Sequence, residues 1–431
     1  GAQEVVVLDG SGSRVGDELV IVNSDFYDVE GDDGDMNERR RIERISDDGK
    51  RVRLDAPLRV SHYGAGGPAR IGDVDGRGGR EVDMRAEVAL LTRSVRIRGA
   101  DEDDEDDEDD GPSFFGGHVV MHQGASGMGL RHVEVGPNMG QAGRLGRYPI
   151  HFHRVGRANE ATFVEGGSIH DTFQRSITVH DTQALSIKNT VTYNARGHAI
   201  FLEDGTEVDN AIVGNLVVAT KPQVIQDVRE DFHDDLPSAF WITNFLNTLE
   251  GNVAAGTTNG VGFWYKLNSH SDGELFSHPQ AIASPVGSFS KNVAHSNQFS
   301  GFWMWHDWLP CAQRVNSYKY VEDGPNRYTV FGATSDQLRM GSDVETEDEE
   351  ELGMFGIVPR NPQWSSTCRS QPVQVLEGLL TYKHRDVGTA VYLSSTNIVW
   401  KDFTSVSDTS AMAFAQVFRD ASGEGGFSEV D

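Results

Sequence analysis

A short segment built around one asparagine recurs four times along the middle of the chain. The copies follow one another after 26, 37 and 40 residues, and each is a short β-type run. They are Lys188-Asn189-Thr190-Val191, Gly214-Asn215-Leu216-Val217, Gly251-Asn252-Val253-Ala254 and Lys291-Asn292-Val293-Ala294. This spacing favours folds that stack similar units, because each unit buries its apolar face against the next.

A second strand type, a glycine followed by an aromatic run, alternates with the first. Its copies are Gly197-His198-Ala199-Ile200-Phe201, Gly262-Phe263-Trp264-Tyr265 and Gly301-Phe302-Trp303-Met304-Trp305. Two short strand types at a period in the twenties, without helical segments long enough for crossovers, predict an all-β parallel β-helix. The asparagines are expected to stack at the coil corners and to satisfy backbone groups that tight turns leave unpaired.

Strand periodicity also predicts which aromatic side chains lie inside. Neighbouring residues of a strand point to opposite faces, so one aromatic set fills the interior while the other points outward. The interior set is expected to be Phe240, Phe263 and Phe302, and the outward set Trp241, Trp264 and Trp303.

The chain divides into two β-rich parts at an acidic segment. Residues 1–100 contain short β-rich runs separated by glycine and aspartate turns, which indicates a partial small β-domain. Residues 101–111 are predicted to be an acidic low-complexity loop. The β-helix is predicted for residues 112–431, with a second acidic insertion near residues 343–352.

The charge is concentrated in these two acidic tracts. The chain has 38 Lys+Arg against 66 Asp+Glu, a net charge of −28. Residues 101–110 are ten consecutive carboxylates and residues 345–351 hold six more, and without these sixteen the net charge is −12. Such runs are typical of solvated loops and lack the ligand spacing of a calcium loop. The acidic balance excludes a nucleic-acid partner, and no apolar run approaches the ~18 residues of a membrane-spanning helix.

Only two cysteines are present, Cys311 and Cys368. They are too few for a zinc knuckle, and a single disulfide and two buried thiols are equally compatible with the sequence.

One strand places histidines on the outer face of the predicted β-helix. In residues 147–153, Arg-Tyr-Pro-Ile-His-Phe-His, the apolar side chains alternate with His151 and His153, which therefore point outward. On the same rule His153 is predicted to stack over His180. Pro149, Ser176 and His198 should form the adjacent row, and Ala199 and Phe201 should point inward.

Four histidines are thus expected within three rungs, next to two carboxylates. His151, His153, His180 and His198 are candidate ligands of a divalent metal ion such as zinc. The catalytic candidates are His151, His153, His180, Glu203 and Asp204, since the cluster could instead act as a general acid or base. Solvated surface histidines are the alternative, and an error of one residue in the register would disperse the cluster.

Several long motifs resemble one known family. They are Gly146-Arg147-Tyr148-Pro149-Ile150-His151-Phe152-His153, Ser168-Ile169-His170-Asp171-Thr172-Phe173 and Gly197-His198-Ala199-Ile200-Phe201-Leu202-Glu203-Asp204-Gly205. The chain resembles the fibrocystin-like proteins and the cell-surface hyaluronidases, the family of transmembrane protein 2 and the cell-migration-inducing, hyaluronan-binding protein. Upstream, residues 16–21 and 83–88 resemble the latter part of that family's eight-glycine domain.

The resemblance implies an extracellular or cell-surface right-handed parallel β-helix after a partial eight-glycine domain. It implies that the chain is a fragment of a larger protein, and that its partner is a polysaccharide of the hyaluronan type. Two functions remain open on this basis. One is glycan depolymerisation by a hydrolase or lyase, in which Arg147, Arg175, Trp241 and Asn244 contact the sugar. The other is a non-catalytic structural or adhesive ectodomain.

Each function has its own requirement. A hydrolase needs two suitably spaced carboxylates, and Asp171 and Asp181 are further candidates beside Glu203 and Asp204. A protein of net charge −28 needs a locally basic face before it can bind a polyanion.

Overall fold

A computed structural model describes most of both β-rich parts. The described residues are 1–10, 12–26, 36–64, 68–70, 81–100, 114–225, 234–267, 281, 284–305, 318–320, 328–330, 374–392, 398–406, 408, 410–415 and 428–430. Both acidic tracts and both cysteines lie outside these residues.

The first part contains a five-stranded antiparallel sheet. The first part has seven strands in all, of which five form this sheet: β1 (Glu4–Val6), β2 (Glu18–Ile21), β3 (Glu38–Ile45), β4 (Arg51–Leu54), β5 (Ala69–Arg70), β6 (Glu81–Val82) and β7 (Val88–Leu90). The sheet order is β1-β4-β3-β2-β7, and β5 pairs with β6 separately. Leu19 and Ile21 of β2 pack into the sheet's own core, whereas Val20 points to the β-helix. β2 is buried on both faces, which explains its unbroken apolar sequence.

The rest of the described chain is built from short strands. They are β8 (Val95–Ile97), β9 (Val119–His122), β10 (Gly129–Arg131), β11 (Val133–Val135), β12 (Ile150–Arg157), β13 (Phe163–Glu165), β14 (Ser168–Thr172), β15 (Ile177–Gln183), β16 (Ser186–Lys188), β17 (Val191–Ala195), β18 (Ile200–Leu202), β19 (Ala211–Val213), β20 (Leu216–Val218), β21 (Ser238–Ile242), β22 (Thr248–Glu250), β23 (Val253–Ala255), β24 (Val261–Lys266), β25 (Ser288–Ser290), β26 (Val293–His295), β27 (Ser300–Trp305), β28 (Tyr318–Tyr320), β29 (Tyr328–Val330), β30 (Gln374–Glu377), β31 (Leu380–Tyr382), β32 (Val387–Tyr392), β33 (Ile398–Lys401), β34 (Thr404–Val406), β35 (Ser410–Ala415) and β36 (Ser428–Val430).

Successive strands are distributed in turn over three parallel sheets of nine strands each. Sheet 1 is β9-β12-β15-β18-β21-β24-β27-β32-β35, sheet 2 is β8-β11-β14-β17-β20-β23-β26-β31-β34, and sheet 3 is β10-β13-β16-β19-β22-β25-β30-β33-β36. The segment of β28 and β29 forms an antiparallel pair between β27 and β30. Each coil therefore contributes one strand to each sheet, which confirms the predicted parallel β-helix.

The aromatic side chains divide between the two faces of sheet 1 as predicted. Phe240 and Phe263 stack in the interior with ring centroids 4.7 Å apart, and Phe302 belongs to the same core. Trp241, Trp264 and Trp303 form a separate apolar cluster on the outer face.

An asparagine ladder runs along one corner of the coils. The backbone N–H of Asn215 donates to Asn252 Oδ1 and that of Asn252 to Asn292 Oδ1, each over 3.0 Å. These bonds confirm the expected role of the repeat. The first copy was wrong by one residue, because Thr190, not Asn189, lies opposite Asn215 and donates its N–H to it. Asn189 has φ +49° and occupies the left-handed turn position that glycine takes in the next two coils.

The first sheet packs on the outer face of sheet 2. Val20 and Ala89 contact an apolar cluster that includes Tyr193 and Val218. At its border His295 Nε2 lies 3.1 Å from Glu87 Oε2. β8 already pairs with β11, so the described β-helix begins at residue 95.

Candidate functional site

The outer face of sheet 1 gathers the predicted histidines in its first three coils. Ile150 lies opposite Ile177 and His153 opposite His180, as the alternation predicted. His151 and His153 consequently share the outer face, while Ile150 belongs to the interior core. The ring centroids of His153 and His180 are 5.0 Å apart.

The fourth coil, which contains β18, differs from the predicted register by one residue. Ile177 pairs with Ile200 and Thr178 with Phe201, so Phe201 points outward and the expectation that it points inward was wrong. The segment from Ala199 to Leu202 is apolar on both faces, so its sequence periodicity could not select a face. The shift also places Glu203, which follows Leu202, opposite His180.

Three side chains on this face converge on one point. One ligand atom of each of His151, His180 and Glu203 lies within 4.8 Å of the others. The rings of His151 and His180 are nearly parallel, with centroids 6.2 Å apart. His180 Nδ1 lies 3.6 Å from Glu203 Oε2, and its Nε2 lies 2.8 Å from Asp204 Oδ2. We call His151, His180 and Glu203 the histidine–carboxylate cluster.

His151 has the environment of a metal ligand. Its Nδ1 donates to the Gly146 carbonyl over 3.2 Å, so in the neutral ring Nε2 carries the lone pair. That Nε2 is buried, and the described residues offer it no hydrogen-bond partner. Burial, and then the neighbouring His180 and His153, lower the pKa of His151 to about 3, which keeps the ring neutral.

The histidines next to His151 have opposite pKa shifts. Burial, and then the proximity of His180, lower the pKa of His153 to about 4. Burial acts in the same direction on His180, but Glu203, Asp204 and Glu207 outweigh it and raise its pKa to about 9. The positive charge of this face is therefore carried by His180, next to Glu203 and Asp204.

Glu207, which is fully buried, holds the turn that carries the carboxylates. Its Oε2 accepts from the N–H groups of Asp204 and Gly205, over 3.0 and 2.8 Å. Its Oε1 accepts from the N–H of Asp181 over 2.7 Å. Burial, and then repulsion by Asp204, raise the pKa of Glu207 to about 8. Sequence reasoning missed this residue because its partners are backbone groups brought together only by the coil.

His122 was also missed. It lies opposite His153, with ring centroids 5.2 Å apart, and is exposed. The sequence could have revealed it, because Val119 and Met121 share one face of a strand and Val120 and His122 share the other. This alternation predicts an outward His122 in the coil before His151.

His198 does not join the histidine–carboxylate cluster, which corrects the predicted set of four. It lies in a separate buried network, where its Nδ1 accepts from the Ser238 N–H over 3.0 Å. Its Nε2 lies 3.7 Å from Asp234 Oδ1. The one-residue shift of the fourth coil is the reason, since it aligns His198 with Arg175 rather than with Ser176.

Of the four residues predicted to contact sugar, the structure exposes one. Arg147 is exposed, whereas Arg175, Trp241 and Asn244 are fully buried. Arg175 donates to Asp234 over 2.7 Å, and Asn244 donates to the Gly205 carbonyl over 2.8 Å. A glycan on this surface therefore does not reach these three side chains, and the hydrogen bonds of Arg175 and Asn244 stabilise the fold.

The two further carboxylate candidates are separated. Asp171 pairs with Arg39 and His170 where the first sheet meets the β-helix, and these partners hold its pKa well below the usual range despite burial. Asp181 lies beside Glu207, on the acidic side of the cluster.

Comparison with known proteins assigns the fold to a family. The family model described as CEMIP beta-helix matches residues 114–302, which include the whole histidine–carboxylate cluster. This segment is similar to the CEMIP beta-helix. The match confirms the resemblance seen in the sequence motifs.

Relatives that are similar to this chain carry different names. Fibrocystin-L of Mus musculus is 33% identical over 329 residues, which cover 69% of this chain and 7% of that protein. Cell surface hyaluronidase CEMIP2 of Homo sapiens is 36% identical over 258 residues, covering 52% of this chain and 18% of that protein. Cell surface hyaluronidase of Danio rerio is 31% identical over 329 residues, covering 69% and 22%.

The chain thus spans less than a quarter of the length of these relatives. Within the described residues, no helix has the length and apolar character that crossing a membrane requires.

Proposed function

We propose that the outer face of sheet 1 binds and cleaves an extracellular polysaccharide of the hyaluronan type, with the histidine–carboxylate cluster as its chemical centre. One observation carries the proposal: His151 is 3% exposed, its Nε2 has no hydrogen-bond partner among the described residues, and it converges with His180 and Glu203. Buried polar atoms are rarely left unsatisfied without a role. The cell surface hyaluronidases among the relatives support the substrate class.

The donor set fits a divalent transition-metal ion. Two imidazole nitrogens and one carboxylate oxygen form the three-ligand set of many catalytic zinc sites, which leave a fourth position open. His151, His180 and Glu203 would hold the ion. The neutral state of His151 suits this role because a ligand must offer a lone pair, whereas His180, whose pKa is raised to about 9, would release a proton when the ion binds. When bound, the ion would supply positive charge beside the uronate or the glycosidic oxygen.

The surrounding residues would orient the ligands and transfer protons. Asp204 contacts the ring of His180, and such a carboxylate partner fixes the orientation of a ligating histidine. His153 is half-buried and neutral, so it can accept a proton at the open side of the cluster. The same arrangement serves a hydrolase or a lyase, and the products distinguish them because only a lyase leaves an unsaturated sugar.

Release of reducing ends from hyaluronan tests the enzymatic function. We expect the wild-type protein, incubated with zinc, to release them. The double variant His151→Ala/His153→Ala should lose at least about 100-fold in rate, the scale of an acid–base group. His132→Ala removes an exposed histidine elsewhere and serves as the control. Equal product from wild type and double variant would contradict the proposed site.

Metal content is tested separately by elemental analysis. Protein incubated with zinc and then desalted should retain about one ion per chain, and His151→Ala should retain none. Zinc retained equally by both proteins would rule out His151 as a ligand.

A structural or adhesive ectodomain is the second candidate function. The fibrocystin-L relative and the complete burial of Trp241 on the outer face favour it, since most of that face serves packing. Absence of product from wild type and variants alike would support this second function. For either function we propose that the parent protein is larger and acts outside the cell or at its surface.

A further inference from the structure

We infer that a basic rim beside the histidine–carboxylate cluster binds the carboxylate of a uronic-acid unit, so that it selects acidic over neutral polysaccharides. The basic rim consists of Phe115, His118, Arg144 and Arg147. The inference rests on the proposed function, because it assigns the anion-binding subsite of the same face.

The turn that carries both arginines contacts the cluster directly. Arg147 donates its N–H to the carbonyl of Arg144 over 3.2 Å, and Gln141 donates its N–H to the Arg147 carbonyl over 2.9 Å. Gly146, between the two arginines, accepts the hydrogen bond of His151 Nδ1. The two guanidinium groups therefore start from a turn that is fixed next to His151.

His118 belongs to the same outer face, one coil before the cluster. Val120 lies opposite His151, and His118 is two residues earlier, at about 7 Å along the strand. Its Nε2 accepts from Arg147 Nη1 over 3.3 Å. Burial, and then Arg147 and His122, lower the pKa of His118, as expected where positive groups crowd together.

In the described part of the chain, the arginines of the rim lack the carboxylate partners that several other exposed arginines have. Arg131 and Arg157 each form an ion pair of 2.9 Å, with Glu165 and Asp209. Within the described part of the chain, neither rim arginine is in an ion pair with a carboxylate. Because the chain has a net charge of −28, two such groups side by side are unusual and suit an external anion.

Charge is therefore separated along the β-helix axis. His118 precedes β9 in the first coil, and the two arginines lie on the turn before β12 in the second, where His151 and His153 are neutral. His180 carries its positive charge in the third coil, beside the acidic Glu203 and Asp204 of the fourth. An acidic polysaccharide is attracted to one end of this face, and a cation to the other.

Phe115 gives the rim the shape of a sugar site rather than of a simple anion site. Its side chain is 59% exposed, and the Arg144 guanidinium lies 5.2 Å from its ring centroid. An exposed aromatic ring can stack on the apolar face of a pyranose, while a guanidinium binds a carboxylate through two parallel hydrogen bonds. A uronic acid offers both features on one ring.

Calorimetry with a hyaluronan decasaccharide tests the subsite. The measurements use the full chain in EDTA, so that binding is observed without turnover. The double variant Arg144→Gln/Arg147→Gln should bind about 10- to 100-fold more weakly than the wild type, as expected for the loss of charge-assisted hydrogen bonds. Arg131→Gln, which removes an exposed and paired arginine, should bind like the wild type.

Carboxyl-reduced hyaluronan provides the chemical control. Wild type and double variant should bind this neutral polymer equally weakly, because it lacks the group that the arginines recognise. Unchanged hyaluronan affinity in the double variant, equal losses on both ligands, or no binding by the wild type would each overturn the subsite. Loss of cleavage with intact binding would instead count against the proposed enzymatic function alone.

Discussion

One row of outward positions runs along sheet 1, and its two halves behave differently. Paired residues from the first coil onward are Val120, His151, Thr178, Phe201, Trp241, Trp264 and Trp303. His151 and Trp264 are each only 3% exposed, but the early coils border exposed polar groups such as His122, whereas Trp241 and Trp264 border other apolar side chains. An outward position on a β-helix is therefore not the same as an accessible one.

Local packing explains the difference between the halves. From Phe201 onward the row forms an apolar cluster with Val261 and Val387, while Leu236 and Phe299 pack against it. In the first coils the same row borders a polar cluster with an unsatisfied imidazole nitrogen. We call these parts the tryptophan half and the histidine half.

The largest expected effect is a loss of stability caused by a substitution in the tryptophan half. Trp241→Ala should lower the free energy of unfolding by about 3–5 kcal/mol, because it deletes a fully buried ring that contacts His198 and Trp264. Guanidinium denaturation measures this loss, with Trp241→Phe as the milder control. Zinc affinity of the folded variant should stay within a few-fold of wild type, and a loss of stability below about 1 kcal/mol would contradict the packing role.

The second prediction concerns zinc binding, which a substitution in the histidine half should weaken. His151→Ala should weaken zinc binding by about 100-fold or more, since it removes one of three ligands, while the unfolding free energy changes less than in Trp241→Ala. Titration with zinc measures the affinity, and His132→Ala should match the wild type. A variant that binds zinc normally but unfolds as easily as Trp241→Ala would remove the distinction between the halves.

A smaller effect concerns the support of the carboxylate turn. Glu207→Gln should weaken zinc binding by about 10- to 100-fold, because an amide nitrogen would face the N–H donors of Asp204 and Gly205. Thr243→Ser, at a hydroxyl 3.5 Å from Glu207, keeps the hydrogen bond and is the control. Normal zinc affinity in a destabilised Glu207→Gln protein would assign Glu207 to folding alone.

The smallest effect is a pH dependence that belongs to the later coils. Burial lowers the pKa of His384 from 6.5 to about 4, with His295 acting in the same direction. The unfolded chain binds this proton more readily, so stability is lost as the pH falls below about 6.5. Between pH 7 and pH 6 the loss should be about 0.5–1 kcal/mol, measured by denaturation at each pH. Other histidines with shifted pKa values also contribute, so His384→Gln should reduce the wild-type loss between pH 7 and pH 6 by this amount, and a loss equal to the wild type's would show that His384 does not titrate in this range.

Much of the fold was predictable because the repeat itself encodes it. The asparagine ladder and the aromatic rows follow from residue spacing, and His153 over His180 follows from strand alternation. The register was wrong by one residue where the sequence did not show which side chains of a segment face inward. Asn189 was aligned in place of Thr190, and Phe201 was turned inward, because neither segment distinguishes its two faces.

The sequence by itself determined a β-helix with outward histidines, since the period of a strand decides which side chains share a face. Only the tertiary structure decided which outward side chains are accessible and which of them meet. Stacking of coils brought Glu203 to His180, sent His198 into a network with Asp234, and left Arg144 and Arg147 beside His151 without carboxylate partners among the described residues. These contacts depend on the register between coils far apart in sequence, and spacing within one strand does not specify it.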